Sequence, residues 1–137
     1  MNRDVLLNKK ESIERCIKQI REYYARPSDV DFKEDLLRQD AIAVNLQRAI
    51  ELAIDMANHL IKERKLGLPK ESRQSFGILG KSRIIPQELA QTLQGMVGFR
   101  NILVHEYQRL DIGIMIDVIE NRLGDLIRFS NLLLRSE

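Results

Sequence analysis

The sequence predicts an all-α fold, an up-and-down bundle of four to five helices. Apolar residues recur every three or four positions along most of the chain, and no stretch alternates with period two for long enough to make a sheet. Apolar residues make up 44% of the 137, but aromatics only 5%, and tryptophan is absent. A core built mainly from Leu, Ile, Val and Ala suits helices better than a β-sandwich.

The first helix is predicted from about Arg3 to Ala25, with Ile13, Ile17, Ile20 and Tyr24 on one face and Pro27 as its stop. Asp31 and Glu34 have capping-box spacing, which places the second helix start near Phe32. That helix is long. Ile42, Leu46, Ala49, Ala53, Met56 and Leu60 line one face, and Ile50, Ile54, Ala57 and Ile61 widen the stripe. An apolar face this broad belongs to a central helix covered on more than one side. Gly67 and Pro69 are its predicted end. A short helix follows over 73–79, with Ser72 as cap and Gly80 as stop.

Pro86 opens a fourth helix, carrying Leu89, Leu93, Met96 and Val97 inward and continuing into Ile102 and Leu103. Asp111 caps a last one with Ile112, Ile116, Ile119, Leu123, Leu126 and Leu133. Tyr23 and Tyr24 are expected to pack against the bundle, and the four methionines to fill its core. The length fits a single domain, 1–137. The lone Cys16 lies among apolar positions and reads as a core thiol of a reducing compartment. Charged residues interrupt any leader-like stretch, and no apolar run approaches a membrane span, so a cytoplasmic protein with no membrane partner is the default.

The net charge of +2 does not by itself announce a nucleic-acid binder. It is unevenly spread, however. Lys62, Arg64, Lys65, Lys70, Arg73, Lys81 and Arg83 face only Glu63 and Glu71 over one stretch. That stretch reads as a solvated connection; the alternative is an electrostatic footprint for a polyanion.

Chemistry concentrates at the end of the fourth helix. If the helix persists through His105, Asn101 and His105 stack on one face at i, i+4, and Arg100 lies about 100° around. Tyr107 returns to the Arg100 side if helical geometry holds that far. An imidazole exchanges protons near neutral pH, and a guanidinium binds phosphate oxygens and offsets their growing charge. Asn101 either orients the imidazole or donates to the phosphate. Taken singly, each of these residues is an ordinary surface group. Glu51, Asp55 and His59 form a second polar stripe, read as a hydrogen-bonded row with Asp55 and His59 paired rather than as a metal site. Asp40 and Gln47, on the same helix, are further candidates for lining the cleft.

The run Met96-Val97-Gly98-Phe99-Arg100-Asn101-Ile102-Leu103-Val104-His105-Glu106-Tyr107 resembles the signature of the HepT family. This is the toxin branch of the HEPN (higher eukaryotes and prokaryotes nucleotide-binding) superfamily. The pattern is Arg, four residues, His, one residue, Tyr, with a polar residue after the Arg, and the chain shows no departure from it. Asn45–Glu51 with Asp55 and His59 is similar to the family's long second helix, Ser75–Leu79 to its short helix, and Asn121–Leu123 to its last.

The resemblance implies a homodimer in which the two signature helices meet near the two-fold axis. It implies RNA cleavage without metal or cofactor, by a composite site with catalytic Arg100, Asn101 and His105. It also implies a partner antitoxin, a minimal nucleotidyltransferase (MntA-like) that moves AMP from ATP onto Tyr107. AMP there is expected to take the place of an RNA phosphate and compete for Arg100. The rival reading is a HEPN-type dimer that binds nucleotide or RNA without cutting it, or an inert partner of a nucleotidyltransferase.

Overall fold

The computed structural model describes residues 2–136. Among these there are six α-helices, two single 3-10 turns and no strand. The helices are α1 (Asn2–Ala25), α2 (Leu36–Arg64), α3 (Ser72–Lys81), α4 (Gln87–His105), α5 (Ile112–Asn121) and α6 (Leu123–Arg135). The all-α class holds; the expected four to five helices become six.

α2 is the axis of the molecule. Its predicted double-width stripe is buried throughout, from Ile42 to Ile61. α1, α3, α4 and α6 all pack on it. Alanines at 43, 49, 53 and 57 are all buried on α2. Their small side chains let neighbouring helices approach closely on more than one side. α1 contributes Ile13, Ile17 and Ile20, and Cys16 is buried beside them, its thiol pushed up by that burial. Tyr23 and Tyr24 are half-buried against the core. Met56, Met96 and Met115 fill the core as expected, whereas Met1 lies outside the described residues.

Several helix boundaries differ from expectation. α3 takes in both Ser72 and Gly80, so neither the expected cap nor the expected stop holds, and Glu71 and Ser82 flank it instead. The other differences each have a local reason. Asp31 makes no cap bond; residues Phe32–Glu34 form a 3-10 turn instead. The true cap is Asp35, whose Oδ1 accepts from the Arg38 backbone N–H at 3.1 Å, while Oδ2 accepts from Arg38 Nε at 2.8 Å. Arg38 also donates to the carbonyls of Tyr23, Tyr24 and Val30, which ties the α1–α2 connection together. At its other end α2 stops at Lys65, not at Gly67. Lys65 takes the left-handed conformation (φ 53°), and the next N–H, of Leu66, reaches back to the Ile61 carbonyl. That is a Schellman-type stop with a lysine where glycine is usual.

Pro86 is the residue before α4 rather than in its first turn, its carbonyl receiving the Leu89 and Ala90 N–H groups. Finally, the predicted last helix is two. Asp111 does cap α5, accepting from Gly113 N–H at 2.8 Å. Arg122 (φ −118°, ψ −11°) then breaks the chain direction two residues before Gly124. The apolar spacing from Ile119 through Leu123 to Leu126 runs across the break without a fault, which is why it is invisible in sequence.

α3 lies close along α4. A Cβ on Gly80 would stand 3.0 Å from Ala90 Cβ and would overlap Gln87 Oε1, so the helices meet where one side chain is absent. Gln94 Nε2 of α4 donates to the Arg73 carbonyl at 3.0 Å and fixes the start of α3. Phe76 is the hydrophobic anchor of α3, 1% exposed and edge-on to Phe129 of α6 with centroids 5.3 Å apart. Phe76→Ala should therefore cost about 3–5 kcal/mol. Urea unfolding followed by circular dichroism measures it, and a cost below that of an exposed substitution would show that α3 is not anchored this way.

Candidate functional site

α4 does persist to His105, so Asn101 and His105 share a face as predicted. It goes no further. Glu106 (φ −141°, ψ 40°) leaves helical geometry, and Tyr107–Arg109 form a 3-10 turn. Tyr107 therefore does not return to the Arg100 side by helical periodicity, and that expectation is corrected. It swings instead to α2, where its hydroxyl donates to Asp40 Oδ1 at 2.5 Å.

Arg100 also reaches α2, but elsewhere. Its Nη1 lies 3.3 Å from Glu51 Oε2, and its Nε donates to Asn101 Oδ1 at 3.0 Å. Asn101 thus orients the guanidinium rather than the imidazole, and its amide N–H groups remain for another acceptor. Gln47 supports the same carboxylate, its Nε2 3.5 Å from Glu51 Oε2. With two of its three nitrogens engaged, Arg100 is held as a fork whose Nη2 remains to donate. Beside it is a hollow of about 220 Å³ lined by Arg100, Asn101, Val97 and the start of α3 at Glu71, Ser72 and Arg73.

His105 is exposed; the histidine ion pair among the described residues belongs to His59. Asp40 and Glu51 are eleven positions apart on α2, so the Tyr107 hydroxyl and the Arg100 guanidinium meet that helix about 16 Å apart.

The Glu51–Asp55–His59 stripe separates by function. Glu51 holds Arg100, Asp55 lies 3.8 Å from Lys9 Nζ, and His59 faces Glu63 at 3.4 Å. The expected Asp55–His59 pair is replaced by the next turn down, His59 with Glu63. The buried His59 Nε2 nevertheless has no well-aligned hydrogen bond among the described residues. No group of three His, Cys, Asp or Glu among the described residues is placed to hold a metal. No helix of the structure is long and apolar enough to cross a membrane.

Sequence reasoning left Asp40 without a role and did not pair Glu51 with Arg100. Both contacts join residues roughly fifty or more positions apart, and no spacing rule connects them. Arg73 was one charge in a basic run; only packing places its guanidinium over Gly98, two residues before Arg100.

Partial burial pushes the Tyr107 phenol up, and the hydrogen bond and negative charge of Asp40 push it further, to about 12. Tyr24 is raised to about 12 in the same way, by burial and by Glu120. The folded value of Tyr107 lies above the unfolded value of ~10. The stabilisation linked to it is therefore complete below about pH 10 and lost between about pH 10 and 12. In an ultraviolet phenolate titration, Tyr107→Phe should remove one late-ionising group, and Asp40→Asn should bring it part of the way back. An unchanged alkaline limb in Tyr107→Phe would show that the phenol is not held by Asp40.

The geometry has relatives. The sequence matches the ribonuclease HepT-like family over residues 13–133. It is 43% identical over 126 residues to the mRNA nuclease HepT of Shewanella oneidensis, covering 92% of this chain and 93% of that one. It is 38% identical over 66 residues to the tRNA nuclease HepT of Aphanizomenon flos-aquae, covering 48% and 45%. A solved structure of the tri-AMPylated Shewanella oneidensis HEPN toxin in complex with MNT antitoxin superposes with a TM-score of 0.90 at 41% identity, over 98% of both chains. With its signature at the end of α4 and its fold shared over nearly the whole length, the chain belongs to the HepT-like ribonuclease family.

Proposed function

We propose that the chain is the toxin of a toxin–antitoxin pair and cuts RNA without a metal, at a site completed by a second copy of itself. The observation that carries this reading is the Arg100 fork. Asn101 and Glu51 hold its position, and its remaining amine is available beside a polar hollow, on the same helix end as the exposed His105.

His105 takes the proton of a ribose 2′-hydroxyl. The 2′-oxygen attacks the adjacent phosphorus, the bond from phosphorus to the 5′-oxygen breaks, and the leaving oxygen takes a proton from the imidazole of the second copy. The products are a 2′,3′-cyclic phosphate and a free 5′-hydroxyl. Arg100 offsets the charge that builds on the non-bridging oxygens, and Asn101 donates to one of them. One imidazole per chain supplies either acid or base, which is why two copies are needed. Exposed Leu37 and Val44 on α2 and Val104 on α4 lie near the site residues in sequence and offer apolar surface for that pairing.

An MntA-like nucleotidyltransferase silences the toxin at Tyr107. The phenol oxygen attacks the α-phosphorus of ATP, the bond to the bridging oxygen breaks, pyrophosphate leaves, and Asp40 accepts the phenol proton. Tyr107 and Arg100 meet α2 about 16 Å apart, so within one chain a single AMP stays near Asp40. A short chain of AMP units carries further phosphates toward Arg100.

Purified protein should cleave RNA, and His105→Ala should slow it by about 10²–10⁴-fold. Equal rates would remove His105 from the mechanism, and binding without cleavage across varied RNAs would leave a binding module. Co-expression with the nucleotidyltransferase should add AMP masses that vanish in Tyr107→Phe; adducts that persist would place the modification elsewhere.

A further inference from the structure

A hollow larger than the one at Arg100 lies next to it. It is a groove of about 710 Å³ between the end of α2 and the start of α3, with Lys62, Lys65 and Lys70 on its walls and Ile61, Leu68 and Pro69 as apolar surface. It shares Glu71 and Ser72 with the smaller hollow that holds Arg100 and Asn101. The two are therefore neighbours on either side of one short wall. Arg73 stands on the Arg100 side of that wall, its Nη2 2.6 Å from where a Gly98 Cβ would be.

Lys62, Lys65, Lys70 and Arg73 enter no ion pair among the described residues. The nearby acids are mostly occupied or outnumbered. Glu63 faces His59, and Glu71 is the one carboxylate on either hollow's wall among the described residues. Lys81 and Arg83 from the same basic stretch fall at the far end of α3, where they line a different hollow. Folding thus divides the run of cations and gathers four of them next to the site.

We infer that this groove carries the RNA strand flanking the bond to be cut, with Arg73 and the three lysines as phosphate contacts. The inference rests on the proposed ribonuclease activity and names where its substrate lies. A single strand needs cations spaced along a path for its phosphates and apolar surface for its bases. The groove has both, and Leu68, 93% exposed, gives its lip an apolar contact that no protein neighbour uses. Continuity with the Arg100 hollow favours substrate over an acidic protein. Gly98 has a role in this arrangement: without a side chain there, the Arg73 guanidinium lies against α4 and faces the same phosphates as Arg100.

The test is salt-dependent binding of a labelled single-stranded RNA of mixed sequence, read by fluorescence anisotropy in a His105→Ala background. Against that background, the triple change Lys62→Gln, Lys65→Gln, Lys70→Gln should reduce the slope of log K against log salt by about 2, at ~0.7 for each phosphate no longer neutralised. It should also weaken low-salt binding about tenfold or more. The triple change Lys18→Gln, Arg21→Gln, Arg135→Gln removes the same charge elsewhere and should keep the slope. Separately, in the cleaving protein, Gly98→Ala should displace Arg73 and raise KM as Arg73→Gln does, with helical content intact.

An unchanged slope in the groove variant, or an equal loss in the control, overturns the inference. So does a groove variant that binds RNA normally but no longer binds the nucleotidyltransferase, which would assign the groove to protein. Binding is measured without turnover, so a wild-type protein that fails to cut RNA counts against the ribonuclease reading and leaves the groove test decisive.

Discussion

The burial of α2 by four neighbouring helices is the constraint from which the rest of the structure follows. A helix covered by α1, α3, α4 and α6 on one broad side leaves most of its polar groups to the other side and to the rims. Its buried apolar stripe takes that side, and the alanines within it let neighbours approach closely. Some of the polar residues sit at the rims between helices. Asp40 and Glu51 are two of these, and each meets one signature side chain from the α4 end of the molecule.

Those rim carboxylates divide the labour of the site. Glu51 offsets part of the Arg100 charge, yet it also keeps a long, flexible side chain in one geometry, together with Asn101. Ordering in advance lowers the entropic cost of any later contact the guanidinium makes. Asp40 does the opposite for Tyr107. By accepting a hydrogen bond from the hydroxyl it stabilises the neutral phenol, so at neutral pH the group stays protonated with an acceptor already in place. One carboxylate thus supports a permanent cation, and the other holds a neutral phenol.

The break after His105 is equally consequential. A continued helix would have projected Tyr107 from the Arg100 side of α4. The turn at Glu106 sends it across to α2 instead, so the Arg100 guanidinium and the Tyr107 hydroxyl meet that helix at different points. At the other side of Arg100, close contact of α3 with α4 brings Arg73 beside Gly98. α4 therefore has a basic side chain on one flank and a hydrogen-bonded tyrosine beyond its end, joined by the signature residues.

Periodicity was enough to determine the all-α class and the inner faces of the helices, because the 3.6-residue repeat is a local property and burial of a continuous stripe leaves few choices. Ile42 through Ile61 show this, as does the cap at Asp111. The signature from Arg100 to Tyr107 was also readable, since its spacing is set within one helix and the turn after it. Local competition between alternatives was not readable: the cap falls to Asp35 rather than to Asp31, and Lys65 takes the left-handed position that Gly67 advertises. Nor did the spacing betray the break at Arg122, because the apolar repeat is continuous through it. The partners of the signature were decided by tertiary structure alone. Asp40 for Tyr107, Glu51 for Arg100 and the clustering of Arg73 with the Lys62–Lys70 groove depend on which helix rims are pressed together, and that is a property of packing between distant segments rather than of any local pattern.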